Sequence, residues 1–300
     1  MRVLITGATG LIGSKLSDLC REEGIKVSYL TTSKSKIENK EDYQGYYWDP
    51  NNDTIEKACL KDVHTIIHLA GATIAEPWSP SYKETIINSR TQTAALLRKT
   101  LEENTHQVEN FISASAIGVY PSSLEKLYFE DDHKVADNFV GKVVEKWEAA
   151  ADEFENLGLD VAKIRVGLVL AENGGMLEKI KKPVSLNMGS ALGSGNQWQS
   201  WIHIDDLAGI FLYAIKNKLT GVYNAVAPNP ITNKELTKEL AAKMGKSVWL
   251  PNVPAFALKG LLGEMSQIVL SSQLVSSKKI ESTGYNFKFS NLSKALEDLT

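Results

Sequence analysis

The sequence predicts an α/β fold, a doubly wound parallel sheet, on three observations. A β-branched apolar run, Val3-Leu4-Ile5-Thr6, opens the chain and runs straight into a glycine turn. Apolar runs of strand length recur along the chain with helical stretches between them, the alternation that a parallel sheet requires. Composition permits such a core: of 300 residues, 43% are hydrophobic and 23% charged, with a formal net charge of −3. That balance excludes a disordered, collagenous or coiled-coil chain. A chain of this length buries about three-quarters of its unfolded surface and needs no covalent staples.

The first unit is the most informative. After the strand comes Gly7-Ala8-Thr9-Gly10-Leu11-Ile12-Gly13, then a helical pattern through Leu16, Leu19 and Cys20 to Glu23, with Gly24 as its stop. Val27 to Thr31 reads as the second strand. Strand, glycine turn, helix and strand within about 30 residues is the setting in which a dinucleotide's phosphates sit on a helix N-terminus. The physical demand is close approach: a Cβ at the glycines would block the turn, the phosphate or the helix–strand packing. The spacing here is G-x-x-G-x-x-G, one residue longer than G-x-G-x-x-G. Gly7, Thr9, Gly10, Leu11, Ile12 and Gly13 are therefore the expected phosphate cradle. At the end of the second strand an NAD site places an acid for the ribose 2′-hydroxyl. Here Thr31, Thr32, Ser33 and Lys34 stand with Lys36 nearby and no acid. Hydroxyls and ammonium groups suit a 2′-phosphate, so NADP (NADPH) is expected over NAD. The alternative is that Lys34 and Lys36 are solvated loop charges.

Three later strands are expected at Thr65 to Ala72, Asn110 to Ala116 and Val161 to Leu170. With these on the page, the sequence resembles the extended short-chain dehydrogenase/reductase superfamily. The residues that carry the likeness are Thr6 to Gly13, His68-Leu69-Ala70-Gly71-Ala72, Ser113 to Tyr120 and Trp201 to Ala208. Asn229 to Asn233, Lys234-Glu235-Leu236, Gly263-Glu264-Met265 and Gly284-Tyr285 are similar to the tail of a poorly characterised epimerase-like family with cell-division-inhibitor annotations. The resemblance implies a Rossmann-like cofactor domain, residues 1–170 with a return segment near 205–228. It also implies a smaller substrate lobe, 171–204 and 229–300. By the same resemblance Leu69, Ala70, Gly71 and Val169 would line the cofactor, and Glu84 and Arg90, on the following helix, would lie near it.

Catalysis in that superfamily rests on a Tyr with a Lys four residues on, one helical turn apart. None of the ten tyrosines has Lys at that spacing. On the expected helix, with Val143, Val144, Trp147, Ala151 and Phe154 as its apolar face, Phe139 stands at the Tyr position and Val143 at the Lys position. A phenyl ring donates no proton. Ser115 keeps the position of the superfamily's third catalytic group, and Tyr120 or Tyr128 are candidate replacement phenols. Their alternative role is to satisfy the strand end and its loop. Lys142 and Lys146 read as solvated charges that could also reach a ribose or phosphate.

Other chemistry-bearing residues have plain structural readings beside functional ones. Asp205 precedes an apolar helical run and is expected to cap it. His203, in the expected substrate-facing loop, is either structural or catalytic. Gly189 to Gly195 is a loop that lets backbone approach a ligand or simply turns. Arg165, inside a strand, needs an acid or the cleft to hold its charge. No grouping has metal-ligand spacing. The acidic balance gives no nucleic-acid footprint, and no apolar run approaches the ~20 residues of a membrane helix. Cys20 and Cys59 form no framework, so a reducing cytoplasm is expected. The expectation is thus a cytoplasmic NADP-binding epimerase- or reductase-like protein, monomer or homodimer, acting on a small molecule. Its rival is an NADP(H) sensor that binds without turnover.

Overall fold

The computed structural model describes all 300 residues. In chain order the first half contains β1 (Arg2–Thr6), α1 (Leu11–Glu22), β2 (Lys26–Thr31), β3 (Tyr43–Asp49), β4 (Thr54–Ile55), β5 (Val63–His68), α2 (Pro80–Glu102), β6 (Asn110–Ala116), β7 (Leu127–Tyr128) and α3 (Phe139–Asp152). The second half contains β8 (Asp160–Val166), β9 (Leu168–Leu170), α4 (Gly175–Ser185), β10 (Trp198–Gln199), β11 (Trp201–His203), α5 (Ile204–Asn217), β12 (Gly221–Ala225), β13 (Ile231–Thr232) and α6 (Asn233–Lys243). The tail is α7 (Ala255–Leu262), α8 (Ser266–Leu270), β14 (Leu274–Val275), α9 (Lys278–Ser282) and α10 (Leu292–Leu299).

Seven parallel strands form the main sheet in the order β3-β2-β1-β5-β6-β8-β12, and the short β4 closes the β3 edge antiparallel. The chain winds one way from β1 and the other way from β5. Beyond the carboxyl ends of these two strands lies the crevice where such sheets take ligands. The strands are apolar throughout because both faces are covered. On one face Val3, Ile5, Ile67, Ile112 and Ile164 pack against Leu16 and Cys20 of α1 and Leu207, Ile210, Phe211 and Ala214 of α5. On the other, Leu4, Ile66, Phe111 and Val161 meet Leu97 and Leu101 of α2 and Ala151 and Phe154. A third cluster, with Leu177, Trp201, Leu236, Leu240, Phe289, Leu296 and Leu299, builds the C-terminal lobe.

Several expectations change here. The strand expected to reach Ala72 ends at His68, and Leu69–Ala72 is loop. The strand expected from Val161 to Leu170 breaks at Gly167, whose Cβ would stand 2.3 Å from the Ser200 carbonyl oxygen. β8 stays in the main sheet, while β9 leaves it to pair in parallel with β11. The sequence reading missed β3, a strand rich in aromatics. Asp205 does not cap α5. His203 does, its Nδ1 accepting from the Asp205 N–H at 3.1 Å.

Candidate cofactor and substrate site

The glycine turn is built as its spacing requires. Gly7 has φ +70°, and a Cβ there would stand 3.0 Å from the Leu69 carbonyl group. A Cβ on Gly13 would lie 2.2 Å from the Gly7 carbonyl oxygen. Gly10 is the N-cap of α1 and offers no side-chain cap. The first-turn N–H groups of α1, Leu11, Ile12 and Gly13 among them, therefore have no intrahelical acceptor, with the positive end of the helix dipole behind them. Thr9, Gly10 and Leu11 are exposed around this opening, and Leu11 is 40% exposed despite its size. Ile12, Leu69 and Val169 are half-buried against the core beside it. A cavity of ≈ 540 Å³ opens along the outer flank, between Thr9–Leu11 and the Glu172–Gly175 turn.

Thr6, at the last position of β1, fixes the facing loop. Its Oγ1 accepts from the Leu69 N–H at 3.1 Å and the Ala70 N–H at 3.0 Å. The hydroxyl proton is then free to go to His68 Nδ1, 2.9 Å away. That assigns the ring proton to Nε2, which faces Thr93 Oγ1 at 3.2 Å and the Arg90 carbonyl at 3.4 Å. His68 is fully buried, and burial holds it neutral with a pKa lowered to about 4.

Arg90 is the charged group at this edge. Its Nη1 donates to the Ile86 carbonyl at 2.8 Å and its Nη2 to the Ala72 carbonyl at 3.1 Å. Its guanidinium carbon lies 4.8 Å from the Trp147 ring centre, and a Cβ on Gly71 would touch that carbon at 3.0 Å. No carboxylate pairs with it, its Nε has no partner, and burial lowers its pKa to about 10. Glu84, expected near the cofactor, is exposed on α2 and takes part in no hydrogen bond or ion pair. At the end of β2, the buried Thr31 Oγ1 accepts from the Ser33 N–H at 3.1 Å. Ser33 and Ser35 hydroxyls lie 2.9 Å apart, Thr32 is exposed, and Lys34 Nζ sits 4.9 Å from the Tyr47 ring centre. The residues present fit a dinucleotide: a tight turn in which Gly7 and Gly13 have no room for a Cβ, an uncapped helix start, and a guanidinium with no carboxylate partner.

Ser115 and Tyr120 are buried. Ser115, 2% exposed, donates to Glu148 Oε1 at 2.5 Å. Arg165 grips the same carboxylate with Nε at 2.8 Å and Nη2 at 2.9 Å, and its Nη1 donates to the Tyr120 hydroxyl at 2.8 Å. Tyr120, fully buried, donates in turn to Asn224 Oδ1 at 2.8 Å. Burial pulls the Arg165 pKa down, but the Glu148 hydrogen bonds and charge outweigh it and raise it. Burial pushes Glu148 up, and Arg165 more than reverses that. Both hydroxyls, expected as catalytic candidates, are engaged with a buried ion pair. Glu148 was not anticipated, because it is 33 residues from Ser115 and no local pattern joins them. Tyr128 is also buried, stacked on Tyr120 at 5.0 Å. Lys142 and Lys146 are exposed. The Gly189–Gly195 loop is a packed turn: Leu192 donates to Asn233 Oδ1 at 2.8 Å, and Asn252 Nδ2 to the Ser194 carbonyl at 2.9 Å. His203 is 1% exposed and stacked on Phe289 at 3.9 Å, with the Asp298 carboxylate 3.3 Å from Nε2 but outside hydrogen-bond geometry.

Phe139, the first residue of α3, is half-buried. Its ring meets Trp78 edge-on at 4.9 Å, and Lys83 Nζ lies 5.2 Å from its centre. Lys83 is ion-paired with Glu264 of the C-terminal lobe.

A family model described as the NAD dependent epimerase/dehydratase family matches residues 3–225, and a domain of unknown function matches 253–299. An epimerase family protein of Staphylococcus aureus (strain MRSA252) is 36% identical over 299 residues, 99% of this chain and 98% of its own. The crystal structure of human epimerase family protein SDR39U1 with NADPH superposes with a TM-score of 0.87 at 29% identity, covering 100% of this chain and 99% of that one. UDP-glucuronic acid 4-epimerase from Bacillus cereus, solved with UDP-glucuronic acid and NAD, shares the fold at 18% identity and a TM-score of 0.80, over 100% of this chain and 98% of its own. With a nucleotide cradle formed from its own glycines and a family match across most of its length, this chain belongs to the NAD-dependent epimerase/dehydratase family.

Proposed function

We propose that the protein binds NADPH in preference to NADH and moves hydride between it and a small carbonyl or alcohol, without a tyrosine acid. The observation that carries the cofactor reading is the acid-free end of β2. Thr31, Thr32, Ser33 and Lys34 surround the place where a family member specific for NAD holds its ribose with a carboxylate. The human relative was solved with NADPH, which supports the same choice. In this reading the first turn of α1 holds the pyrophosphate, Lys34 and Ser33 hold the 2′-phosphate, and Arg90 supplies positive charge beside Gly71. The bound cofactor supplies the hydride. The chain's part is to hold the dinucleotide over the carboxyl ends of β1 and β5 and to close the cleft from the C-terminal lobe. A sensor that binds without turnover is the second reading, favoured by the burial of Ser115 and Tyr120 and by Phe139 at the head of α3.

Titration of nicotinamide fluorescence tests the cofactor claim. NADPH is expected to bind at least about tenfold tighter than NADH, the worth of one charge-assisted contact, and Lys34→Ala to narrow that gap. Equal affinities would remove the NADP assignment, and no binding of either nucleotide would remove the whole reading. Cofactor oxidation across a carbonyl panel separates enzyme from sensor.

A further inference from the structure

A hydride transfer to a carbonyl needs a group that meets the substrate oxygen. Ser115, Tyr120 and Tyr128 are buried with their hydroxyls covered, and Lys142 and Lys146 are exposed. Arg90 is engaged with the Ile86 and Ala72 carbonyls beneath Gly71. Trp78, Phe139, Lys83 and Glu264 meet where α2 and α3 begin. Trp78 is itself fixed, its Nε1 donating to the Ile74 carbonyl at 3.0 Å. α2 and α3 both begin at the carboxyl edge of the sheet, which brings the first turns of the two helices together. Lys83 is an odd choice there for stability. It follows the Ser79 cap and Pro80 in the first turns of α2, where the helix dipole disfavours a cation. Its side chain is only 26% exposed, whereas Glu264 is 59% exposed, so the ion pair repays little. A residue that breaks a local rule without a stabilising return is expected where function needs it.

We propose that the Lys83 ammonium, seated on the Phe139 ring and tethered by Glu264, is the group that anchors and protonates the substrate oxygen, and that the substrate is a flat conjugated carbonyl, a quinone or an enone. The two half-buried rings give such a molecule an apolar wall to lie against. Chemistry favours the same class. Hydride delivered to a saturated ketone leaves a localised alkoxide, which calls for a strong, well-placed acid such as the missing phenol. Hydride delivered to a conjugated carbonyl leaves a delocalised enolate or hydroquinone anion, which a nearby ammonium stabilises as it forms. The step balances: the reduced nicotinamide gives up hydride to the conjugated system and becomes NADP⁺. The substrate oxygen takes a proton from Lys83, and the neutral amine regains one from water. Glu264 is a positioning residue in this scheme, holding the ammonium from the opposite lobe.

This inference rests on the NADPH reading, and its test keeps the two apart. NADPH fluorescence titration is run first on wild type and Lys83→Met, and equal affinities are expected. Absorbance loss of NADPH is then followed with menadione and phenanthrenequinone, against cyclohexanone and UDP-glucose. The quinones are expected to be reduced, with kcat down about a hundredfold in Lys83→Met, the upper range for a lost general acid being larger still. Lys83→Arg, which keeps the charge, is expected to recover part of the rate. Dicoumarol, a flat enolate, gives a readout without turnover: its affinity is expected to fall about tenfold or more in Lys83→Met. A rate or dicoumarol affinity within twofold of wild type in that variant, preference for cyclohexanone or UDP-glucose, or NADPH binding with no quinone reduction would overturn the proposal and leave the cofactor reading intact. Failure to bind NADPH would take down both.

Discussion

At the scale of single residues the cofactor cradle is a matter of missing atoms. Gly13 has no room for a methyl group, because the Gly7 carbonyl would lie 2.2 Å from it and cannot swing aside like a flexible side chain. Gly13→Ala is expected to cost about 1–3 kcal/mol of stability through overpacking and to weaken NADPH binding, measurable by thermal melt and titration. His68 makes a second prediction, with a definite sign. Its ordinary pKa of 6.5 falls to about 4 in the folded protein, so the unfolded chain binds the extra proton more readily between those values. Stability is therefore full above about pH 6.5 and falls by about 1.4 kcal/mol per unit toward pH 4. Melting curves across that window should show the slope, and His68→Gln should flatten it. In the sequence Thr6 was visible as a strand end, and His68 only as part of a strand expected to run on to Ala72. Their hydrogen bonds needed β1 and β5 side by side.

At the scale of elements, boundaries were legible where local chemistry sets them and misread where a distant neighbour does. α1 ends as Gly24 requires, and Asn110 to Ala116 is a strand as its pattern predicts. The break at Gly167 was invisible, since the Ser200 carbonyl that forbids a Cβ there comes from another part of the chain. The α5 cap was misassigned by two residues for a related reason. Asp205 is drawn instead into ion pairs with Lys15 at 2.7 Å and Lys288 at 2.9 Å. The adjacent Asp206, 1% exposed, accepts from the Lys288 and Phe289 N–H groups and so pins the tail. α6 carries a full capping box, Thr232 with Glu235. Thr232→Ala is expected to lower stability by about 1 kcal/mol, and chemical denaturation with an unchanged slope would confirm a purely local loss.

At the scale of the whole molecule, ligand and fold are linked. A nucleotide that binds only the folded state raises its stability by about 2.7 kcal/mol at a hundredfold excess over Kd, which is several degrees for a chain of this size. NADPH is expected to raise the melting temperature more than NADH at equal concentration, and the difference should shrink in Lys34→Ala. No helix is long and apolar enough to cross a membrane. The sequence by itself determined the winding of the sheet, the glycine cradle and the absence of a Tyr–Lys pair, because strand periodicity, backbone freedom at glycine and a four-residue helical spacing are all local. Tertiary structure alone decided that Ser115 and Tyr120 serve a buried ion pair, and that Lys83 meets Phe139 and Glu264. Those partners come from separate strands, helices and lobes, and only packing decides which side chains share one space.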